Sequence, residues 1–321
     1  MRRYFLNIIL LLLFLSCTAC HQDKAHISDY QRIFLPLHSK NGEYVVAIRV
    51  FKRNNTPSFL LVNPSNLATW VAPVDEFTAR DTTKPRPEGG LTYEQLKSTL
   101  YYQLLHQYGS DNKQAEKIEN QGLTHAAHAG DGNILTIDLC PSSLPFEKEF
   151  FEKLVQLSSE KKAPIPITIA MSGLWMIDHP KAFSWLISMH KNKKLKITWA
   201  NHSFTHIYYH DLPDEENFLR SDLVNMETEI MLTEQYLLEH DQTPSVFFRF
   251  PGLVSSKALL QNIQQHGLIP LGADAWIAKD EAITPGGIIL VHGNSNEHIG
   301  IVKLLPQLER LKFIDIYSSI P

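Results

Sequence analysis

The sequence predicts an α/β protein built on a parallel sheet wound by helices, preceded by a small α/β accessory region. Three observations lead there. Beyond Gly132 short apolar runs alternate with amphipathic ones in a strand-then-helix rhythm. Those short runs are apolar almost throughout, as strands covered on both faces must be. Ionisable residues fall repeatedly where such a run ends, which is the rim where parallel α/β folds do chemistry.

Three segments follow: 1–20, 21–130 and 131–321. Arg2 and Arg3, the apolar run Leu6 to Leu15 and the small residues before Cys20 read as a signal peptide. The run is shorter than the ~20 residues a membrane span needs. Leu15-Ser-Cys-Thr-Ala-Cys20 resembles the lipobox of bacterial lipoproteins, with Cys17 where a leucine is usual. The expectation is an exported chain, in the periplasm or outer cell envelope, held to the membrane by a lipid on Cys20; ordinary cleavage stays open. Only Cys140 then remains besides the anchor, so no disulfide framework is available. With 44% apolar and 20% charged residues the 321-residue chain is globular. A formal charge of −4 gives no basic footprint, and nucleic acid is not an expected partner.

From Gln31 to Val74 apolar and polar residues alternate, with turn chemistry at Asn41-Gly42, Asn54-Asn55 and Asn63-Pro64, so strands joined by tight turns are expected. Thr78 to Gly90 reads as a loop. Leu91 to Tyr108 carries Leu96, Leu100, Leu104 and Tyr108 at near-helical spacing and predicts one amphipathic helix. His125 and His128 read as a solvated loop. No chemistry is legible in this region.

The later strands are expected at Asn133–Asp138, Ile165–Met171, Leu195–Ala200, Ser245–Phe250, Leu268–Asp274, Gly287–His292 and Leu311–Ile316. The clearest helix is Leu223 to Leu238, with Leu223, Met226, Ile230 and Leu237 on one face. Seven units can close into a barrel or stay open.

The stretch Thr198-Trp-Ala-Asn-His-Ser-Phe-Thr-His206 ends in two histidines four apart. That spacing on a helical turn directs both imidazoles to one divalent ion. Among 15 histidines a chance pair of this kind is expected, so the pair alone is weak. Singly, Asp138 reads as a cap, Arg249 and Asp274 as a structural ion pair, and His292 as a core histidine. Together with His202, they mark the ends of five strands of one sheet, and that coincidence carries the weight.

In order, Leu135-Thr-Ile-Asp-Leu-Cys-Pro141, Asn201-His-Ser-Phe-Thr-His206, Phe248-Arg-Phe-Pro-Gly252, Gly272-Ala-Asp-Ala-Trp276 and Leu290-Val-His292 resemble the five motifs of the polysaccharide deacetylase family, the NodB-homology or carbohydrate esterase 4 family. The resemblance spans roughly residues 134–321 and implies a distorted (β/α)7-type parallel barrel. It implies metal-dependent removal of N-acetyl groups from a cell-wall or surface polysaccharide such as peptidoglycan or a poly-N-acetylglucosamine. A divalent metal, zinc by preference, would be held by His202 and His206; Asp138 would be the general base and His292 the general acid. Arg249 would orient the base through a charge-assisted hydrogen bond, and Asp274 would hold Arg249 or His292. Trp276 would wall the acetyl pocket, and the backbone N–H of Gly252, which replaces the family's tyrosine, would serve an oxyanion.

One position departs. Where the family has two adjacent aspartates, base and ligand, this chain has Asp138 and Leu139. Either Asp138 moves onto the metal, or Cys140 substitutes, or the chain is a catalytically impaired relative that binds glycan or assists envelope assembly. A different hydrolase using Cys140 as nucleophile is a further alternative.

Overall fold

The computed structural model describes residues 24–79, 91–109, 118–127, 130 and 132–320. The signal-peptide and Cys20 expectations, most of the Thr78–Gly90 loop and His128 lie outside the described residues.

Strands β1 (Ile27–Ser39), β2 (Tyr44–Arg53), β3 (Thr56–Val62), β4 (Thr69–Pro73) and β5 (Phe77–Ala79) form an antiparallel sheet in the order β4-β3-β2-β1-β5. The two-residue turn at Asn54-Asn55 has positive φ at both positions, the geometry whose twist matches a hairpin and which asparagine tolerates. The expected helix over 91–108 is two: α1 (Tyr93–Lys97) and α2 (Leu100–Gln107). Ser98 ends the first and Thr99 caps the second, its hydroxyl accepting from the Tyr102 N–H.

The second sheet contains β6 (Ile134–Leu139), β7 (Ile165–Met171), β8 (Leu195–Asn201), β9 (Pro244–Phe248), β10 (Ile269–Pro270), β11 (Ala275–Trp276) and β12 (Ile288–His292). All its pairs are parallel, in the order β10-β9-β8-β7-β6-β12-β11. Its helices are α3 (Lys148–Lys161), α4 (Gly173–Asp178), α5 (Pro180–Lys191), α6 (Met226–Glu239), α7 (Lys257–Gln265), α8 (His298–Leu304) and α9 (Ile316–Ser319). The outer face of β6, β7 and β8 packs Leu135, Ile137, Ile167, Ile169 and Trp199 against Phe151, Leu154, Trp175, Phe183 and Leu186 of α3, α4 and α5.

The two edge strands, β10 and β11, are joined by only four residues, Leu271 to Asp274. At roughly 3.3–3.6 Å per residue so short a link cannot span an open seven-stranded sheet, so the sheet must curl round on itself. Residues 119–126 lie in the gap: Gly272 N donates to Leu123 O, Ile288 N to Thr124 O, and Ala126 N to Gly286 O. The result is the distorted, incompletely paired barrel of the expectation, sealed by a segment from ahead of the first parallel strand.

Three sequence expectations are corrected. Leu268–Asp274 is not one strand, because the chain leaves the sheet after Pro270 and re-enters it at Ala275 on the far side. Residues 311–316 supply only an isolated bridge, Asn133 to Phe313, followed by α9. Leu223 is exposed and precedes α6, whose N-cap is Asn225.

Candidate metal and hydrolytic site

Parallel register brings the polar residues to one rim. Asp138 on β6 pairs directly with His292 on β12, while Met171 on β7 pairs with Asn201 on β8. His202 and Arg249 follow the last residues of β8 and β9; the ladder continues through them, His202 N donating to Met171 O and Arg249 N to Asn201 O. Alternation puts Thr136, Asp138 and Cys140 on the inner face and Leu135, Ile137 and Leu139 against the helices.

The two histidines do not share a helical turn. They meet through a loop with positive φ at Ser203 (66°) and His206 (48°), a conformation costing roughly 1–3 kcal/mol per residue. Hydrogen bonds hold it. The buried Glu229 of α6 accepts from the N–H groups of Phe204 and Thr205 at 2.8 Å and from the Thr205 hydroxyl at 2.6 Å. Gly173 N and Leu174 N at the start of α4 donate to Ser203 O and Phe204 O. The Phe204 ring lies so close to Gly173 that a Cβ there would come within 2.0 Å of it.

The imidazoles lie 4.7 Å apart, edge to face. His202 Nδ1 is 2.8 Å from the Arg249 carbonyl, which can only accept, so Nδ1 carries the proton and Nε2 is left as a lone pair. That Nε2 lies 3.5 Å from Cys140 Sγ and 3.7 Å from Asp138 Oδ2. Burial pushes the His202 pKa down to about 4, outweighing Asp138, so the ring is neutral as a ligand must be. His206 Nε2 and Asp138 Oδ1 are buried without hydrogen-bond partners, and such orphaned groups are costly unless something occupies the space between them. Two converging imidazole nitrogens beside a thiol and a carboxylate fit a divalent cation. Bound there, it would polarise a carbonyl and lower the pKa of a water.

Arg249 is fully buried and touches Asp138 differently from the expectation. Nη1 is 3.8 Å from Asp138 Oδ2, an ion-pair distance, whereas Nη2 donates to Thr136 Oγ1 at 2.8 Å. Burial lowers the guanidinium pKa.

His292 Nδ1 lies 2.8 Å from Glu297 Oε2, close enough for an ion pair though off the line of a good hydrogen bond. Burial opposes its charge, but Cys140, then Glu297 and Asp138, outweigh it and hold the His292 pKa well above the ordinary value. For Cys140 burial pushes the pKa up; His206 and His292 more than offset that and bring it to about 7. Trp276 donates Nε1–H to the same Glu297 oxygen at 2.7 Å, and its ring centroid is 6.1 Å from that of His292.

Asp274 is not part of this rim, and the role expected for it is corrected. It stands at the N-terminal end of β11, its N–H donating to Ile288 O where β12 begins. Its carboxylate pairs with His125 and the Thr284 hydroxyl instead of Arg249 or His292. The partner of His292 is Glu297, five residues further along a loop where no periodicity marks it. Gly252 has φ +61°, and a Cβ there would meet Phe218 Cζ at 2.6 Å. The Phe218 ring thus crowds the position where the family has tyrosine. His206 and His210 repeat the four-residue spacing to no effect, since His210 is exposed beside Asp211.

Residues 28–102 match the family model described as the RP012 protein N-terminal domain. Among solved structures the chain is similar to PdaA of Bacillus subtilis, a family 4 carbohydrate esterase, at 15% identity over 75% of this chain and 93% of that one, with TM-score 0.45. It is similar to a family 4 carbohydrate esterase of Bacillus anthracis at 19% identity, covering 75% and 98%, TM-score 0.43. A CE4 family pseudoenzyme of Bacillus anthracis matches at 15% identity over 61% and 68%, TM-score 0.42. Likeness at this level bears on neither ligand nor activity, which rest on the side chains themselves.

Proposed function

We propose that the chain is a metal-dependent hydrolase of the polysaccharide deacetylase kind, removing N-acetyl groups from an envelope polysaccharide. The observation that supports it most is the convergence of His202 and His206 on one point flanked by Asp138 and His292, with buried atoms of His206 and Asp138 unpaired. Asp138 takes a proton from the attacking water, and its unpaired Oδ1 is the atom free to do so. His292, favoured as the cation by Cys140 and Glu297, delivers a proton to the departing sugar amine. Arg249 balances the charge of Asp138 from the barrel interior, and Trp276 fixes Glu297 behind His292. The N-terminal features of residues 1–20 support export and anchoring at Cys20, with the polysaccharide and the membrane as partners.

Leu139, buried in the apolar layer in place of an acidic ligand, favours a second reading. In it the chain is a catalytically impaired relative that binds glycan without cleaving it.

One experiment separates the two. Purified protein is incubated with acetylated chito-oligosaccharide or peptidoglycan and zinc, cobalt or nickel, and released acetate is measured. Release that chelator stops is expected. No release with any metal, with glycan affinity indifferent to chelator and to Asp138→Asn, would establish the second reading.

A further inference from the structure

Leu139 cannot reach the ion, because its side chain lies in the layer between the sheet and the helices. The next residue returns to the inner face. We propose that Cys140 is the third protein ligand, a thiolate where a carboxylate would be expected, giving a Cys-His-His centre for zinc or cobalt(II). This rests on the metal-dependent reading above.

Cys140 Sγ and one nitrogen from each of His202 and His206 all lie within 4.8 Å of one another, and Sγ is 3.5 Å from His202 Nε2. Tetrahedral zinc, with Zn–S about 2.3 Å and Zn–N about 2.0–2.1 Å, sets its ligand atoms about 3.5 Å apart. The triad therefore needs only a small contraction. Its backbone is already fixed: Asn294 Nδ2 donates to Cys140 O at 2.7 Å, and Ser172 gives both its N–H and its hydroxyl to Leu139 O. Asn294 and Ser172 are fully buried.

A thiolate ligand also leaves Asp138 free. Its Oδ2 stands between His202 and Arg249, at 3.7 and 3.8 Å, and its Oδ1 has no partner. Were Asp138 a ligand, its carboxylate could not also serve as the base. On binding, the Cys140 S–H bond breaks, the proton passes to solvent, and a sulfur lone pair forms the bond to the cation; nothing is oxidised. The ligand charge equals that of the carboxylate replaced, but its softness does not. Thiolate with two imidazoles selects zinc and cobalt over magnesium and manganese, which prefer oxygen.

The test is the electronic spectrum of the reduced full-length chain loaded with cobalt(II), with zinc affinity measured by competition. A thiolate-to-cobalt charge-transfer band is expected in the wild type and in Asp138→Asn. Cys140→Ser should lose it, and zinc affinity should fall by more than the ~10–100-fold that even outer-shell changes cost. Cys140→Asp should bind metal without the band and lose discrimination against manganese. Cobalt bound by the wild type without the band would overturn the thiolate ligand and leave metal dependence standing, a result that needs no variant to fold. Zinc affinity of Cys140→Ser within a few-fold of wild type would do the same. No binding of zinc or cobalt by the wild type would overturn both.

Discussion

His202 and His292 are the same side chain in two settings. Deep burial holds His202 neutral with its Nε2 lone pair aimed at the site, whereas His292, only partly buried, is held cationic by the groups around it. Composition cannot express that difference, and position in sequence expresses it only partly. Both were legible as ends of apolar runs; Glu297 was not, because it reaches His292 from a loop. Its role gives a signed prediction. A carboxylate beside an imidazolium favours the protonated form, so Glu297→Gln lowers the His292 pKa. Activity that needs protonated His292 then falls away at lower pH than in the wild type, and acetate release measured across pH checks it. Asp138→Asn, if Asp138 is the base, lowers acetate release by about 10²–10⁴-fold. Cobalt binding measured beside it should be unchanged, since the substituted atom is not a ligand.

At the scale of elements, the parallel strands were readable from their apolar runs, while two of the seven, β10 and β11, are two residues each and left too short a signal. The four-residue spacing predicts a helical turn where a loop unites His202 with His206, because spacing alone cannot reveal positive φ at Ser203 and His206. What holds that loop is a helix: Glu229 satisfies three donors from it at once. Glu229→Ala is therefore expected to weaken zinc binding by ~10–100-fold while leaving the ligands in place, as competition titration would show. A second residue of α6 does comparable work toward the antiparallel sheet. Glu234 receives Arg49 Nε and Nη2 at 2.7 and 2.8 Å and the Tyr30 hydroxyl at 2.9 Å, and Arg49 Nη1 also reaches His266 O. Arg49→Met strands a buried carboxylate and should cost about 3–5 kcal/mol, whereas Arg49→Met with Glu234→Leu should cost much less. Denaturant unfolding of the two variants distinguishes them.

For the whole molecule, the antiparallel sheet and the barrel share one apolar layer in which Val46, Ile48, Phe51 and Tyr101 pack with Phe247, Ile269 and Ile288. Neither alternation in the first half nor apolar runs in the second could say that the halves would meet, because each pattern reports only which face is buried. That joint burial also captures histidines. His190, His202, His240 and His266 each have a pKa lowered from the ordinary 6.5, in every case first by burial. The unfolded chain, with ordinary imidazoles, therefore binds more protons than the folded one below that value, and stability must rise with pH across the window. Above about pH 6.5 the contribution is complete. As pH falls it is lost, for His202 down to its folded pKa of about 4. Thermal unfolding in chelator should show the midpoint falling steadily below pH 6.5; His292, whose folded pKa is raised, acts in the opposite sense and only above that value. His240→Gln and His266→Gln should each flatten that slope, because a side chain that cannot be protonated removes one of the protons whose uptake drives the loss.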